Sequence, residues 1–265
     1  MAVLTQFPLA DRRTLPSSPG VSADGCPATS TKVDAVLVPG EPSGDLALLK
    51  EKLLMMASYA ETAVNRAVKA LARRDDDLAS RTSEEDDRID RLELEVDELA
   101  LQLLATRPGP RELRFVTMAM KIANNLERVG DEATTISRRV MELSREPQLQ
   151  QACEIPPMAA TVLGMLKDSL DSFVRQDPAQ ARGVIPRDDA VDELNRRLHR
   201  ELGALMAERP AAITRALNLM VISKSLERIG DHAANLAEQV VYLCEGRDIR
   251  HESASAGPAS PGSIL

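Results

Sequence analysis

One heptad pattern of apolar residues occurs twice in this sequence, and the two copies are offset by 100 residues. The first copy alternates steps of four and three through Ile122, Leu126, Val129, Ala133, Ile136, Val140 and Leu143. The second copy has the same spacing through Ile222, Leu226, Ile229, Ala233, Leu236, Val240 and Leu243. A related segment contains Ile89, Leu92, Val96, Leu99 and Leu103. This spacing is typical of helices that pack in bundles, and no period-two stretch is long enough to compete, so we predict an all-α fold.

The composition agrees with a helical core. Apolar residues make up 43% of the chain, but only two Tyr, three Phe and no Trp are present. The core is therefore built from aliphatic side chains, most of which favour helices, and a β-sandwich is a poor fit. The net charge of −8 and the lack of aromatic faces argue against nucleic acid as a partner.

Short motifs indicate that the chain is internally duplicated. The sequence NLERVGDEA at 125–133 matches SLERIGDHA at 225–233. Residues 70–90 align without gaps to 172–192, and both segments end in the pattern DDxxD. Two copies of one helical unit explain both matches.

We therefore predict two tandem, pseudo-symmetric three-helix bundles, at residues 45–146 and 147–251. Residues 1–44 and 252–265 are rich in Pro, Ser, Gly and Ala and have no sustained apolar period, so both are expected to be disordered extensions. Proline, glycine and capping signals place the six helices at about 45–74, 78–106, 111–144, 157–176, 187–208 and 210–246, with a kink at Pro186.

Cysteine usage and hydropathy indicate a cytoplasmic protein. Cys26, Cys153 and Cys244 are far apart and form no CxxC pair, so a disulfide framework is not expected. The first 15 residues lack a signal-peptide core, and no apolar run is long enough for a membrane span. We expect no direct insertion into the membrane.

Carboxylates recur in pairs at i,i+4 spacing, and each pair forms a patch on one face of a helix. The four pairs are Asp86 with Asp90, Glu127 with Asp131, Asp188 with Asp192, and Glu227 with Asp231. Because Glu127 and Asp131 are rotated away from the apolar seam, we expect them on the outer face of the bundle. The first pair extends into Glu93 and Asp97, whereas the third extends into Asn195 and His199.

Two interpretations of these pairs remain open from spacing alone. They form either a solvated face balanced by neighbouring arginines, or an oxygen-rich surface site for cations where stripes on adjacent helices converge. Gly130 and Gly230, inside the helices, favour close helix–helix approach over ligand contact. For His199 and His232 the default expectation is no special role.

No catalytic constellation is present in the sequence. It has no glycine-rich phosphate loop, no HExxH or GxSxG motif, and no ExxH signature of di-iron bundles. We therefore do not expect an enzyme.

The run SLERIGDHAANLAEQVVYLCEGRDIRH, from Ser225 to His251, resembles the PhoU family of phosphate-transport accessory and signalling regulators. LERVGDEA in the first half and the DDxxD elements extend this resemblance over about 45–251. The resemblance implies a metal-binding surface that holds iron, zinc, manganese or magnesium. Its implied ligands are Asp86, Asp90, Glu127, Asp131, Asp188, Asp192, Glu227 and Asp231. The second repeat has Ile213 where the first has the acidic Glu112, which predicts a poorer site there.

The function implied by the resemblance is negative regulation of phosphate uptake and phosphate-starvation signalling. The implied partners are the ATPase subunit of the phosphate ABC transporter and a PhoR-type sensor histidine kinase. We also expect a homodimer, which the residue pattern itself does not derive. Two alternatives remain: a metal-storage or metal-dependent helical-bundle enzyme, and a structural helical protein whose acidic faces serve solubility.

Overall fold

A computed structural model of the chain describes residues 44–149 and 154–250. The two predicted extensions fall outside these residues, apart from Gly44, and so do Cys26, Cys153 and His251. Cys244 is described, and it is a half-buried free thiol. All the helices discussed below belong to one compact unit.

The predicted all-α fold is confirmed, and the described residues contain no β-strand. The eight α-helices are α1 Gly44–Arg73, α2 Asp76–Ser80, α3 Thr82–Ala105, α4 Pro110–Leu143, α5 Ile155–Arg175, α6 Pro178–Val184, α7 Asp188–Glu208 and α8 Ile213–Glu245. Helices α1, α3 and α4 pack together as one bundle, and α5, α7 and α8 form the second. Short helices α2 and α6 occupy equivalent places in the two bundles.

The core consists of the apolar seams that the sequence predicts. In α4 the seam residues from Ile122 to Val140 are at most 1% exposed, and so are those of α8 from Ile222 to Val240. Leu143 and Leu243, at the helix ends, are half-buried. Burying these two long apolar stripes contributes to the favourable free energy of packing, because that energy scales with the apolar area removed from water.

The structure divides one predicted helix and adds the short helix α6, which is not among the six predicted ones. The predicted helix 78–106 becomes α2 and α3, which are separated at Arg81. The predicted kink at Pro186 is confirmed, since a 3-10 turn from Ile185 to Arg187 joins α6 to α7. Helix α5 begins two residues earlier than predicted, at Ile155, because prolines are tolerated in a first helical turn.

The duplication extends to the helix caps. The Asp75 carboxylate accepts a hydrogen bond from the backbone N–H of Leu78 and caps α2, and Asp177 caps α6 in the same way. The residues before these caps, Arg74 and Gln176, both have positive φ angles, of 54° and 53°. Each repeat therefore reverses direction after its first helix with the same backbone conformation, although neither uses glycine.

The two bundles meet along their longest helices. Arg228 of α8 pairs with Glu132 of α4, and Arg215, closer to the start of α8, pairs with Glu146 just beyond the end of α4. The numbering rises along one helix as it falls along the other, so α4 and α8 are antiparallel. Gly130 and Gly230 therefore lie at the same level, near the middle of this crossing.

Candidate functional site

The predicted acidic residues converge into two clusters, one in each repeat. Acidic cluster 1 consists of Asp86 and Asp90 from α3 together with Glu127 and Asp131 from α4. Acidic cluster 2 consists of the equivalent residues from α7 and α8, which are Asp188, Asp192, Glu227 and Asp231. The carboxylates of each cluster act on one another electrostatically across the two helices. The predicted convergence of stripes on adjacent helices is therefore confirmed in both repeats.

Glycine allows the two helices of each cluster to approach closely. A Cβ atom on Gly130 would lie 2.9 Å from Oδ1 of Asp86 and 3.0 Å from Cδ1 of Ile89. A Cβ atom on Gly230 would lie 3.4 Å from Oδ1 of Asp188. The preference for close helix approach at these glycines is confirmed, and it is tighter in the first repeat.

This close approach corrects one prediction about the outer face. Asp131 is on the outer face as expected, with 49% of its side chain exposed, but only 16% of the Glu127 side chain is exposed. Its counterpart Glu227 is buried, at 8% exposure. The expectation fails for the glutamates because α3 and α7 cover the flank of α4 and α8 that lies beside the seam. The angle between a residue and the apolar seam of its own helix does not show whether a second helix covers that residue.

Each cluster contains the same unsatisfied oxygen. Oδ1 of Asp86 and, in the second repeat, Oδ1 of Asp188 are buried and accept no hydrogen bond. Oε2 of Glu127 and Oε2 of Glu227 are also buried, but each lies against a cation, at 3.2 Å from Nε of Arg128 and 2.5 Å from Nζ of Lys224. A buried oxygen without a hydrogen-bond donor is costly, and repetition at equivalent positions makes the two aspartate oxygens the main candidates for ligand binding.

Burial and mutual repulsion raise several pKa values in cluster 1. Burial raises the pKa of Glu127 to about 7, and the nearby carboxylate of Asp131 adds to the shift, while Arg128 opposes it. Burial also raises the pKa values of Asp86 and Asp90. In all three groups the folded protein favours the protonated carboxyl, because ionisation would place a further negative charge in a poorly solvated cluster.

Cluster 2 distributes the same effect differently. Burial raises the pKa of Asp188 to about 7, and the charges of Asp231 and Asp192 raise it further. The pKa of Asp231 is also raised by burial, while Lys224 opposes the shift. In cluster 2 the carboxyl with the largest pKa shift, Asp188, therefore belongs to α7. In cluster 1 the corresponding carboxyl, Glu127, belongs to α4.

A lysine accounts for part of this difference. Nζ of Lys224 donates to Oε1 of Glu227 at 2.6 Å, but the equivalent position in the first repeat is Asn124. In cluster 1 the nearest cation is Arg128, which lies 3.2 Å from Glu127 and 3.3 Å from Asp131. Cluster 2 therefore contains a built-in cation on its buried glutamate.

Polar residues connect the two repeats beside the clusters. Arg228 lies 3.0 Å from Glu132 across the α4–α8 crossing. On the other side Nδ1 of His232 is 3.0 Å from Oδ1 of Asn125, and burial lowers the pKa of this histidine. His232 is thus part of the contact between repeats, a role that its sequence position did not indicate.

The acidic stripe also continues differently in the two repeats. In the second repeat Nε2 of His199 lies 3.1 Å from Oγ of Ser223, which donates to Oδ1 of Asn195 at 2.7 Å. In the first repeat the equivalent of Ser223 is Ala123, so no such network is possible between Glu93 and Asp97. Sequence reasoning missed Ser223. The available signal was a hydroxyl directly after the seam residue Ile222.

The donor atoms of the clusters fit hard or borderline cations, because such ions prefer carboxylate oxygens. The unsatisfied oxygens of Asp86 and Asp188 would gain the partner that they lack. Among residues 44–149 and 154–250, however, no group of three or more His, Cys, Asp or Glu side chains stands in a geometry ready for metal binding. The carboxylates would have to adjust their rotamers around an ion.

Comparison with known proteins identifies the family of the chain. The PhoU domain matches it twice, over residues 53–140 and 155–240, which are the two halves of the duplication. The chain belongs to the PhoU family. A PhoU homologue from Pseudomonas aeruginosa, named a phosphate-specific transport system accessory protein, is 39% identical over 79% of this chain and 87% of its own length. A homologue of the same name from Aquifex aeolicus is 38% identical over 77% of this chain and 92% of its own.

Solved structures of PhoU proteins have the same fold. The crystal structure of PhoU from Pseudomonas aeruginosa superposes with a TM-score of 0.75 at 38% identity, and covers 77% of this chain and 98% of that one. The phosphate transport system regulatory protein PhoU from Streptococcus pneumoniae gives a TM-score of 0.70 at 27% identity, and covers 77% and 97%. In the described part of this PhoU-family chain, no helix has the length and hydropathy needed to cross a bilayer.

Proposed function

We propose that this protein is a non-enzymatic regulator that restrains phosphate uptake and phosphate-starvation signalling when phosphate is plentiful. Its family membership supports this role, because the relatives are named as accessory or regulatory proteins of phosphate transport. In this proposal the protein works in the cytoplasm as a homodimer. It connects the ATPase subunit of the phosphate ABC transporter with a PhoR-type sensor histidine kinase.

The second part of the proposal concerns metal. The observation that carries it is the unsatisfied buried aspartate oxygen, Oδ1 of Asp86 and Oδ1 of Asp188, that recurs at equivalent positions in both repeats. Cluster 1 would hold an ion through Asp86, Asp90, Glu127 and Asp131, and cluster 2 through Asp188, Asp192, Glu227 and Asp231. A bound iron, zinc, manganese or magnesium ion would supply positive charge to each acidic surface. Such an ion would also link α3 to α4, and α7 to α8.

The regulatory surface would then depend on the state of the clusters. Without an ion, Glu127 and Asp188 are each partly protonated near neutral pH, because their pKa values are raised to about 7. An ion favours the ionised carboxylates and so releases protons when it binds. Metal loading would therefore change both the charge and the rigidity of the face that a partner meets.

Substitution of one aspartate in each cluster tests the metal proposal. Asp131→Asn combined with Asp231→Asn should lower the metal content of the purified protein and weaken phosphate repression of a reporter. The matched control is Asp87→Asn with Asp189→Asn. These exposed aspartates follow Asp86 and Asp188 on α3 and α7, so they neighbour the clusters without belonging to them. If the cluster variant kept both its metal content and its repression, the metal proposal would be wrong.

Co-purification tests the adaptor proposal separately. Tagged protein from phosphate-replete cells should recover the transporter ATPase or the sensor kinase, and less of either from phosphate-starved cells. Reproducible failure to recover both would contradict the adaptor role, whatever the metal content. A cell line without the transporter genes is the control for nonspecific capture.

The alternative is a metal-storage protein or a metal-dependent enzyme in a helical bundle. The burial of Glu227 favours it to the extent that such proteins bind metal through buried carboxylates. This alternative predicts stoichiometric iron binding together with oxidase or phosphatase turnover. An assay of the metal-loaded protein for both activities separates the two functions, since the regulator is expected to have neither.

A further inference from the structure

Two surface grooves flank the middle of the α4–α8 crossing, and they are built from equivalent positions of the two repeats. The first, the acidic groove, includes Glu93 and Asp97 of α3 and Gln239 of α8. The second is larger, with a volume of about 580 Å³. In this second groove His199 takes the position of Asp97, and Arg139 takes the position of Gln239. The duplication therefore gave two grooves of the same construction and opposite charge.

The second groove, called here the basic groove, is defined by Arg139, His199, Leu217, Val221 and Lys224. No carboxylate is found among the described residues that line it. Arg139 and Lys224 each make an i,i+3 pair along their own helix, to Glu142 and Glu227. The side chains of Arg139 and Lys224 are nevertheless 32% and 45% exposed. The groove thus contains two partly exposed cations, each paired on its own helix.

The orientation of His199 is set by its surroundings. Its Nε2 atom lies 3.3 Å from the carbonyl oxygen of Met220 and 3.1 Å from Oγ of Ser223. A carbonyl oxygen can only accept, so Nε2 carries a proton and donates. The neutral tautomer therefore has its lone pair on Nδ1, and the side chain adds no negative charge to the groove.

One wall of the basic groove is apolar. Leu217 is 50% exposed and Val221, one helical turn further along α8, is 36% exposed. The equivalent positions of the first repeat carry Thr117 and Lys121, and of these Lys121 lines the acidic groove, so this apolar wall is specific to the second repeat. A small inorganic anion would satisfy the cations but would leave both aliphatic side chains in contact with water. The better occupant covers the wall and neutralises the charge together.

We propose that the basic groove binds a segment of a partner protein in which an Asp or Glu carboxylate lies beside a leucine-like side chain. The carboxylate would accept hydrogen bonds from Arg139 and Lys224, and the aliphatic side chain would pack on Leu217 and Val221. Charge complementarity sets the class of partner, because the lining offers donors and cations but no carboxylate. Arg139 and Leu217 belong to neither acidic cluster, so substituting them tests the groove without touching a proposed metal ligand, whereas Lys224 also pairs with Glu227 of cluster 2.

Short fluorescein-labelled peptides provide the test, with binding followed by fluorescence anisotropy on the full chain. In this set Leu and an acidic residue, Glu or Asp, are separated by each spacing from i,i+1 to i,i+4. A matched set replaces each acidic residue with Lys. We expect an acidic peptide to bind and its Lys version to fail. Arg139→Gln should weaken binding by about tenfold, and Leu217→Thr by about fivefold.

These two variants leave the fold intact for a structural reason. Gln is the residue that the second repeat carries at the position equivalent to Arg139, Gln239, and Thr is the residue that the first repeat carries at the position equivalent to Leu217, Thr117. Far-UV circular dichroism and thermal melting check this directly. The matched control is Lys121→Gln, which removes one positive charge from the acidic groove and should change peptide affinity by less than about twofold.

Three outcomes would overturn the proposal. The first is that no acidic peptide of the set binds. The second is that Arg139→Gln weakens binding no more than Lys121→Gln does. The third is that acidic peptides without Leu bind equally well and are fully displaced by inorganic phosphate. That last result would identify a site for small anions rather than for a protein segment.

Discussion

The two acidic clusters have the same four-residue plan, but their charge is balanced differently. Cluster 1 leaves Glu127 without a lysine, and burial raises the pKa of that carboxyl to about 7. Cluster 2 pairs Glu227 with Lys224 at 2.6 Å. The comparison shows that the duplication kept the positions of the carboxylates, whereas the cations that balance their charge differ between the repeats. The first cluster is the more dependent on an external cation.

The largest expected difference concerns Glu127→Gln. In the metal-free protein the folded state holds the Glu127 proton to a higher pH than the unfolded chain, whose pKa is near 4.5, because the folded pKa is about 7. Stability is therefore lost as the pH rises from about 5 to 8. Removing the ionisable group should stabilise the protein by about 1–3 kcal/mol at about pH 8 and change little near pH 5.

Urea denaturation in the presence of a chelator measures this difference, with Glu227→Gln as the matched variant. That substitution loses the ion pair with Lys224, so we expect no gain in the free energy of unfolding. An equal gain from both variants would remove the distinction between the clusters.

The second expected difference concerns the two glycines. Gly130→Ala should cost about 1–2 kcal/mol, because the new methyl group would crowd Asp86 and Ile89 at 2.9 and 3.0 Å. Gly230→Ala should be neutral or stabilise by up to about 1 kcal/mol, since its Cβ meets Asp188 at an acceptable 3.4 Å and alanine favours the helix. Thermal unfolding of both variants is the measurement. Equal effects would show that the closer approach in the first repeat has no energetic consequence.

The sequence predicted the fold well, and the reason is physical. The seams from Ile122 and from Ile222 are long, regular and free of interruption, so a bundle is the one arrangement that buries both. Repetition of LER[VI]GD added the duplication, and the i,i+4 spacing placed the acidic pairs correctly on shared faces. These are local signals, and they survive folding because they agree with one another.

What the sequence could not predict depends on neighbours that are distant along the chain. Burial of Glu227 requires α7 to cover the flank of α8. The distance between these two helices is set by Gly230 and the core side chains around it. The contact between His232 and Asn125 joins residues from different repeats. No spacing rule within a single helix contains that information.

The third expected difference is in metal affinity, and it rests on the proposed metal binding. Lys224→Asn removes a competing cation and should raise the Mn²⁺ affinity of cluster 2 by about threefold to tenfold. Asn124→Lys should lower the affinity of cluster 1 by a similar factor. Isothermal titration calorimetry resolves each cluster if the other carries Asp131→Asn or Asp231→Asn. Unchanged affinities in both exchanges would mean that Lys224 does not compete with the ion.

The smallest expected difference concerns the two arginines of the repeated motif. Arg228→Ala removes the pair with Glu132 across the repeats and should cost about 0.5–1 kcal/mol. Arg128→Ala removes only contacts along its own helix and should cost less than about 0.5 kcal/mol. Denaturation at low and high salt measures both. A larger loss for Arg128→Ala would reverse the assignment of the structural pair.

The antiparallel crossing of α4 and α8 has a consequence for how such a chain arises. In a crossing of equivalent helices every contact has a two-fold counterpart, as at the interface of a symmetric dimer. The counterpart of the pair between Arg228 and Glu132 is Arg128 facing His232. The first repeat carries both members of the original pair, Arg128 and Glu132, so two separate copies of it would satisfy each other at this crossing. Fusion into one chain released position 232 from that symmetry and left it free to diverge.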